Sequence, residues 1–164
     1  MQVQKLRSDI GLFTLRLGLG TVFMYHGSQK LFGAFGGHGL EGFAGYLSQL
    51  GIPFASANAL LAASTEFFGG LAILVGLLVP LVSIPVVITM LVAAFSAHQG
   101  FNAAAGGNEY PLMLAFATAA LGAIGAGNLS IQALLPPVST FLNRKASASA
   151  SATAKSAVPA GAKL

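Results

Sequence analysis

The chain of 164 residues has no cysteine, only four acidic and eight basic residues, and just 7% charged residues in total. The missing cysteine excludes disulfides, thiolate metal sites and thiol redox chemistry carried by the chain itself. The shortage of charge excludes an ordinary water-facing surface, since a soluble domain carries about 25% charged residues. What fills the space is 55% hydrophobic residues and a mean hydropathy of +0.78. A single domain of this make-up is built for lipid.

The net charge of +4 does not point to nucleic acid, because the cations sit at the two ends: Lys5 and Arg7, then Arg144, Lys145, Lys155 and Lys163. Basic residues flanking apolar spans hold segment ends on the cytoplasmic side. The N-terminal apolar stretch lacks a small-residue cleavage site and is interrupted by Arg16, so it reads as a retained first helix rather than a signal peptide.

A bilayer core of about 30 Å needs roughly 20 apolar residues in a helix. Four stretches answer to that length, at about 10–32, 57–79, 81–98 and 109–126. The second and third meet at Pro80 in a hairpin with almost no loop. Pro80 and Pro85 fit a first helical turn, where a missing N–H has no partner anyway; Pro111 does the same after Asn108, an N-cap candidate.

The expected fold is an all-α membrane protein. Its four-transmembrane-helix bundle, residues 10–135, follows a cytoplasmic N-terminus at 1–9. Four glycines between Gly33 and Gly39, then the amphipathic Leu40–Leu50, predict a turn and a short interfacial segment between helices 1 and 2. Residues 145–164 alternate Ala, Ser and Lys and predict a disordered tail. An even number of spans puts both basic termini on one side, the cytoplasm, and the connections with His38, Glu41 and Asn102 outside.

Ionisable groups inside spans are costly and point into the bundle. They are Arg16, His26 and Lys30 on the first helix, Glu66 on the second, His98 ending the third and Glu109 starting the fourth. At 3.6 residues per turn Arg16, Gly20, Phe23, Gly27 and Lys30 share one stripe, with His26 beside it. Glu66 is followed by Gly69 and Gly70, small residues that let helices approach closely. The stripe and this face are expected to meet.

By depth, at roughly 1.5 Å per residue, His26 is the expected neighbour of Glu66, forming a proton-handling pair. Arg16 lies deeper and has a simple reading as a side chain snorkelling to the cytoplasmic surface. His98 and Glu109 lie where helices end in water and also read as interfacial caps. Paired histidines as haem ligands, or a His and Glu metal site, are disfavoured, since no close-set ligand pair is present.

Four runs, RLGLGTVFMYHGSQKLFG from Arg16, EFFGGLAILVGLLVP from Glu66, AHQGFN from Ala97 and NEYPLMLAFATAALGAIGAG from Asn108, together resemble the DoxX family of small bacterial membrane proteins. The resemblance implies a multi-pass protein of the bacterial plasma (inner) membrane in a family often labelled oxidoreductase, similar to a DoxD-type subunit of thiosulfate:quinone oxidoreductase. Carried onto this chain, its polar positions fall on Arg16, His26, Gly27, Lys30, Glu66, Gly69, Gly70, His98 and Glu109. The chain departs from the family at Gly125, Ala126, Gly127, Asn128, Leu129 and Ser130, where a glycine-proline-glycine turn is common.

Two functions remain open. The first is a quinone-linked redox component with no intrinsic cofactor or metal. Glu66 and His26 are its catalytic pair, Arg16, Lys30, His98 and Glu109 bind substrate, and a redox partner protein handles electrons. The second is a non-catalytic membrane subunit or scaffold; small-molecule transport ranks below both. Gly20, Gly27, Gly69 and Gly70 are expected to pack helices, and a homo-oligomer is compatible with either function.

Overall fold

The computed structural model describes residues 2–135. Six α-helices follow one another: α1 (Gln2–Phe32), α2 (Gly39–Gln49), α3 (Ala55–Val75), α4 (Val79–Ser96), α5 (Glu109–Ile124) and the short α6 (Ile131–Leu134). Single 3₁₀ turns stand at Ala34–Gly36 and Ala103–Ala105, and no strand occurs among the described residues. The chain divides into a unit of residues 1–132 and a second of residues 133–164. Everything below concerns the first, and the expected tail at 145–164 lies outside the described residues.

Two helices, α3 and α4, are long and apolar enough to cross a membrane, and α5 is a shorter apolar helix. Only 33% and 28% of the apolar windows of α3 and α4 are buried, so these are not the core helices of a soluble protein. Phe68 on α3, Leu81, Ile84 and Phe95 on α4, and Phe116 on α5 all face outward, a surface that lipid solvates and water does not. In α1 the buried residues are Arg16, Leu19, Gly20, Phe23, Gly27 and Ser28. Arg16 and Ser28 are turned inward while Ile10, Phe13 and Leu17 face out.

The most extensive interface is α1 against α3, followed by α4 against α5, with α2 lying over α3 and α1. Missing side chains make the first one close. A Cβ on Gly27 would stand 2.4 Å from the Phe67 nitrogen, one on Gly20 would stand 2.7 Å from the Leu74 Cβ, and one on Gly70 2.7 Å from the Phe23 Cβ. Gly69 serves a different contact from the expected one: its open side meets Val86 of α4, not α1.

The helix ends depart from expectation at Gly76, Pro85 and Asn108, while Pro80 and Pro111 lie in first turns as expected. Gly76, at φ 73°, ends α3 four residues before the expected boundary. The Leu77 N–H donates back to the Ala72 carbonyl, a left-handed glycine stop, so the hairpin turn is Gly76–Leu78 and Pro80 already lies in the first turn of α4. Pro85 is inside α4 rather than in its first turn. Its ring faces outward, and its own carbonyl accepts from Thr89 Oγ1 at 2.9 Å. Pro111 keeps its place in the first turn of α5, but the Asn108 side chain makes no cap hydrogen bond.

Gly27→Ala is expected to destabilise the detergent-solubilised protein by at least the ~1–3 kcal/mol typical of overpacking, since backbone rather than a flexible side chain is in the way. Gly18→Ala, with nothing within 4 Å of the added carbon, is expected to be neutral or stabilising by ~0.5–1 kcal/mol. Thermal unfolding of the two variants beside wild type checks both.

Candidate functional site

The α1–α3 contact sets a register. With Gly27 against Phe67 and Gly20 against Leu74, the antiparallel helices bring Glu66 level with Ser28. Side chains on a helix lean toward its N-terminus. Lys30, just beyond Ser28, therefore leans back along α1, while Glu66 leans toward it along α3. The Lys30 Nζ meets Glu66 Oε1 at 2.5 Å and Oε2 at 2.6 Å. The carboxylate is 2% exposed and the lysine side chain 29%.

His26 is thus not the partner of the acid. It sits deeper than Glu66 in this register, and its Nδ1 lies 3.1 Å from Gln29 Oε1 on its own helix, with the ring edge-on to Tyr25. Spacing alone favoured His26 by depth; the length and lean of the lysine decide otherwise. Lys30 also lies over the Phe43 ring of α2, 5.2 Å from its centroid, a cation–π contact.

The ion pair forms one wall of a cavity of about 510 Å³ between α2, α3 and α4, within the range of small-molecule sites. Phe43, Tyr46 and Leu47 come from α2, Leu61 and Ala62 from α3, and Ile88 and Val92 from α4. His98, just past the end of α4, is also part of the lining. Asn58 and Thr89 are in the wall as well, but each already donates to a backbone carbonyl of its own segment, Pro53 and Pro85. A smaller cavity of about 300 Å³ reaches Lys30, Phe43 and Tyr46 from the side of Gly36, Gly37 and His38.

The remaining polar residues lie elsewhere. Glu109 opens α5 and lines neither cavity. Arg16 is 1% exposed and does not snorkel. Its guanidinium donates to the Leu129 carbonyl, packs against Gly76 at the end of α3 and lies 5.7 Å over the Phe13 ring. A cation at a helix C-terminus faces its unpaired carbonyls, the favourable end of the dipole.

The same end holds Asp9, which lies before the apolar part of α1. The Asn128 backbone N–H donates to Asp9 Oδ1 at 2.9 Å, and the Asn128 amide reaches both carboxylate oxygens. These bonds, the backbone one first, hold the Asp9 carboxyl below its ordinary value. The turn at Gly125–Ser130, where the sequence departs from the family pattern, is thus pinned to α1 by Asp9 and Arg16. Neither side of the Asp9–Asn128 contact was legible beforehand, because the two residues are 119 positions apart.

The sequence model of the DoxX family matches residues 11–99. That is more than half of the chain, and it contains every residue lining both cavities. The chain belongs to the DoxX family. No curated protein sequence and no solved structure matches it. As a DoxX protein with apolar, outward-facing helices it is a helical membrane protein, and its α5 lies beyond the matched segment.

Removing one partner of a buried ion pair leaves an uncompensated charge, at ~3–5 kcal/mol when both are buried. The partial exposure of Lys30 puts Lys30→Met toward the lower end of that range. The double variant Lys30→Met with Glu66→Leu is expected to regain most of the loss, as read by thermal unfolding of single and double variants.

Acid is expected to weaken the other end. A carboxyl with a lowered folded-state value adds stability above its ordinary value of 3.8, and that contribution is lost as pH falls through the folded value. The stability gap between wild type and Asp9→Ala, measured by thermal unfolding, is therefore expected to close as the pH falls below about 3.8.

Proposed function

We propose that this DoxX protein is a multi-pass component of a bacterial inner-membrane redox system that binds a quinone in the cavity beside Lys30 and Glu66. The observation that carries the reading is a charged pair set into an apolar cavity whose rim opens on the lipid-facing side. Leu61 is 66% exposed and Ile88 56%, and both line the cavity. A molecule dissolved in the bilayer reaches Lys30 from that side without passing through water.

Four crossings, by α1, α3, α4 and α5, give the positive-inside arrangement, with the ends carrying Lys5, Arg7, Arg144 and Lys145 in the cytoplasm. Helix α1, at ~1.5 Å per residue, is long enough to cross and still project. Helix α2 then lies at the outer interface over the cavity mouth.

Interconversion of a quinone and its quinol exchanges two electrons and two protons, and a partner redox protein supplies or takes the electrons. This chain supplies binding and proton handling. Lys30 uses two of its three N–H groups on Glu66, and the third is available to an oxygen of the head group. Glu66 holds in place the ammonium of Lys30, a residue that lines both cavities. His26 has no part in this arrangement.

The test is to purify the protein in mild detergent and extract bound quinone. Wild type is expected to carry it in near-stoichiometric amount, and the folded double variant Lys30→Met with Glu66→Leu to carry little. A quinone-free wild type, or equal quinone in both, would overturn the reading and leave the scaffold function standing.

A further inference from the structure

His98 lines the cavity, and its chemistry is set by a hydrogen bond to the backbone of α4. Its Nδ1 lies 2.9 Å from the Ala93 carbonyl oxygen. A carbonyl can only accept, so Nδ1 carries the proton and donates. In the neutral ring the other nitrogen, Nε2, is then an acceptor only. The histidine is part-buried and lines the same cavity as Lys30.

The polar groups offered to a ligand are therefore unlike one another. Lys30 can only donate. Both Glu66 oxygens are engaged by Lys30, and Asn58 and Thr89 already donate to backbone. The hydroxyls of Tyr46 and Ser96, also in the lining, donate or accept as required and impose no preference. With Nδ1 donating to Ala93, the His98 ring in its neutral form can only accept from a ligand, so at Nε2 the ligand must supply the donor.

We propose that His98 Nε2 accepts a hydrogen bond from a ligand hydroxyl, so that the cavity selects lipid-soluble phenols and, within the quinone reading, the quinol over the quinone. For the quinol this rests on that reading; for phenols in general it does not. A hydroxyl at Lys30 accepts, and a hydroxyl at His98 donates. A quinone carbonyl at His98 would set acceptor against acceptor and leave both without a partner in an apolar wall, the costly arrangement for buried polar groups. The cavity is thus matched to the reduced form, with His98 placed to receive its proton.

The experiment uses the full chain in lipid nanodiscs and two probes of one shape, 4-nonylphenol and its methyl ether, which lacks the donor. Binding is read by titration calorimetry, with decylubiquinol and decylubiquinone as a second pair. Wild type is expected to bind the phenol about tenfold tighter than the ether, the effect of one well-made hydrogen bond, and the quinol tighter than the quinone by a similar factor. His98→Phe is expected to bring phenol and ether within about twofold. His98→Gln, whose amide both donates and accepts, is expected to bind quinol and quinone alike and to narrow the phenol preference.

Equal binding of phenol and ether by wild type overturns the inference, whatever the variants do. So does a phenol preference that survives in His98→Phe. If neither quinone nor quinol binds but the phenol preference is present and depends on His98, the quinone reading falls and the hydroxyl site stands.

Discussion

The closeness of α1 to α3 is the constraint on which the rest depends. Gly20 and Gly27 on one helix and Gly70 on the other have no side chains to hold the backbones apart. In a bilayer the interior of the protein is no more apolar than the solvent, so helices associate through close packing and internal polar contacts. Here the close packing makes the polar contact. Only at this separation and register does the Lys30 ammonium reach both oxygens of a carboxylate buried to 2%.

The two ends of the bundle use polar side chains differently. At one end Asp9 and Arg16 are engaged by the turn between α5 and α6, through Asn128 and the Leu129 carbonyl, and their task is to tie the helices together. At the other end Lys30 and Glu66 satisfy each other and stand at the wall of a cavity. Helix α2 belongs to this second end. Its apolar residues Phe43 and Leu47 roof the cavity, and the Phe43 face receives the lysine. The residues matched by the DoxX family include the whole cavity, while the turn that departs from the family pattern belongs to the tied end.

Much of the fold was legible in the sequence for local reasons. The apolar runs of α3 and α4 were marked by composition, and the short helix after the glycine-rich turn by its pattern. The buried stripe of α1 through Arg16, Gly20, Phe23 and Gly27 followed from the 3.6-residue period. Helix ends were less legible. Gly76 stops α3 through a left-handed conformation, and nothing in an apolar run distinguishes that glycine from Gly69 or Gly70, which sit within the helix.

The sequence by itself determined that the chain is helical, that its outer faces are apolar, and which few ionisable groups fall within or at the ends of the apolar spans. Those are properties of composition and of a fixed helical period. Only the tertiary structure decided that Glu66 pairs with Lys30 rather than His26, that Gly69 serves α4, that Arg16 is buried against Gly76, and that His98 shares a cavity with the ion pair. His26 and Lys30 are one turn apart on nearly the same face, so periodicity cannot choose between them. The choice belongs to the sliding register of α1 on α3, which is set by glycine contacts spread along both helices and by how far each side chain leans and reaches.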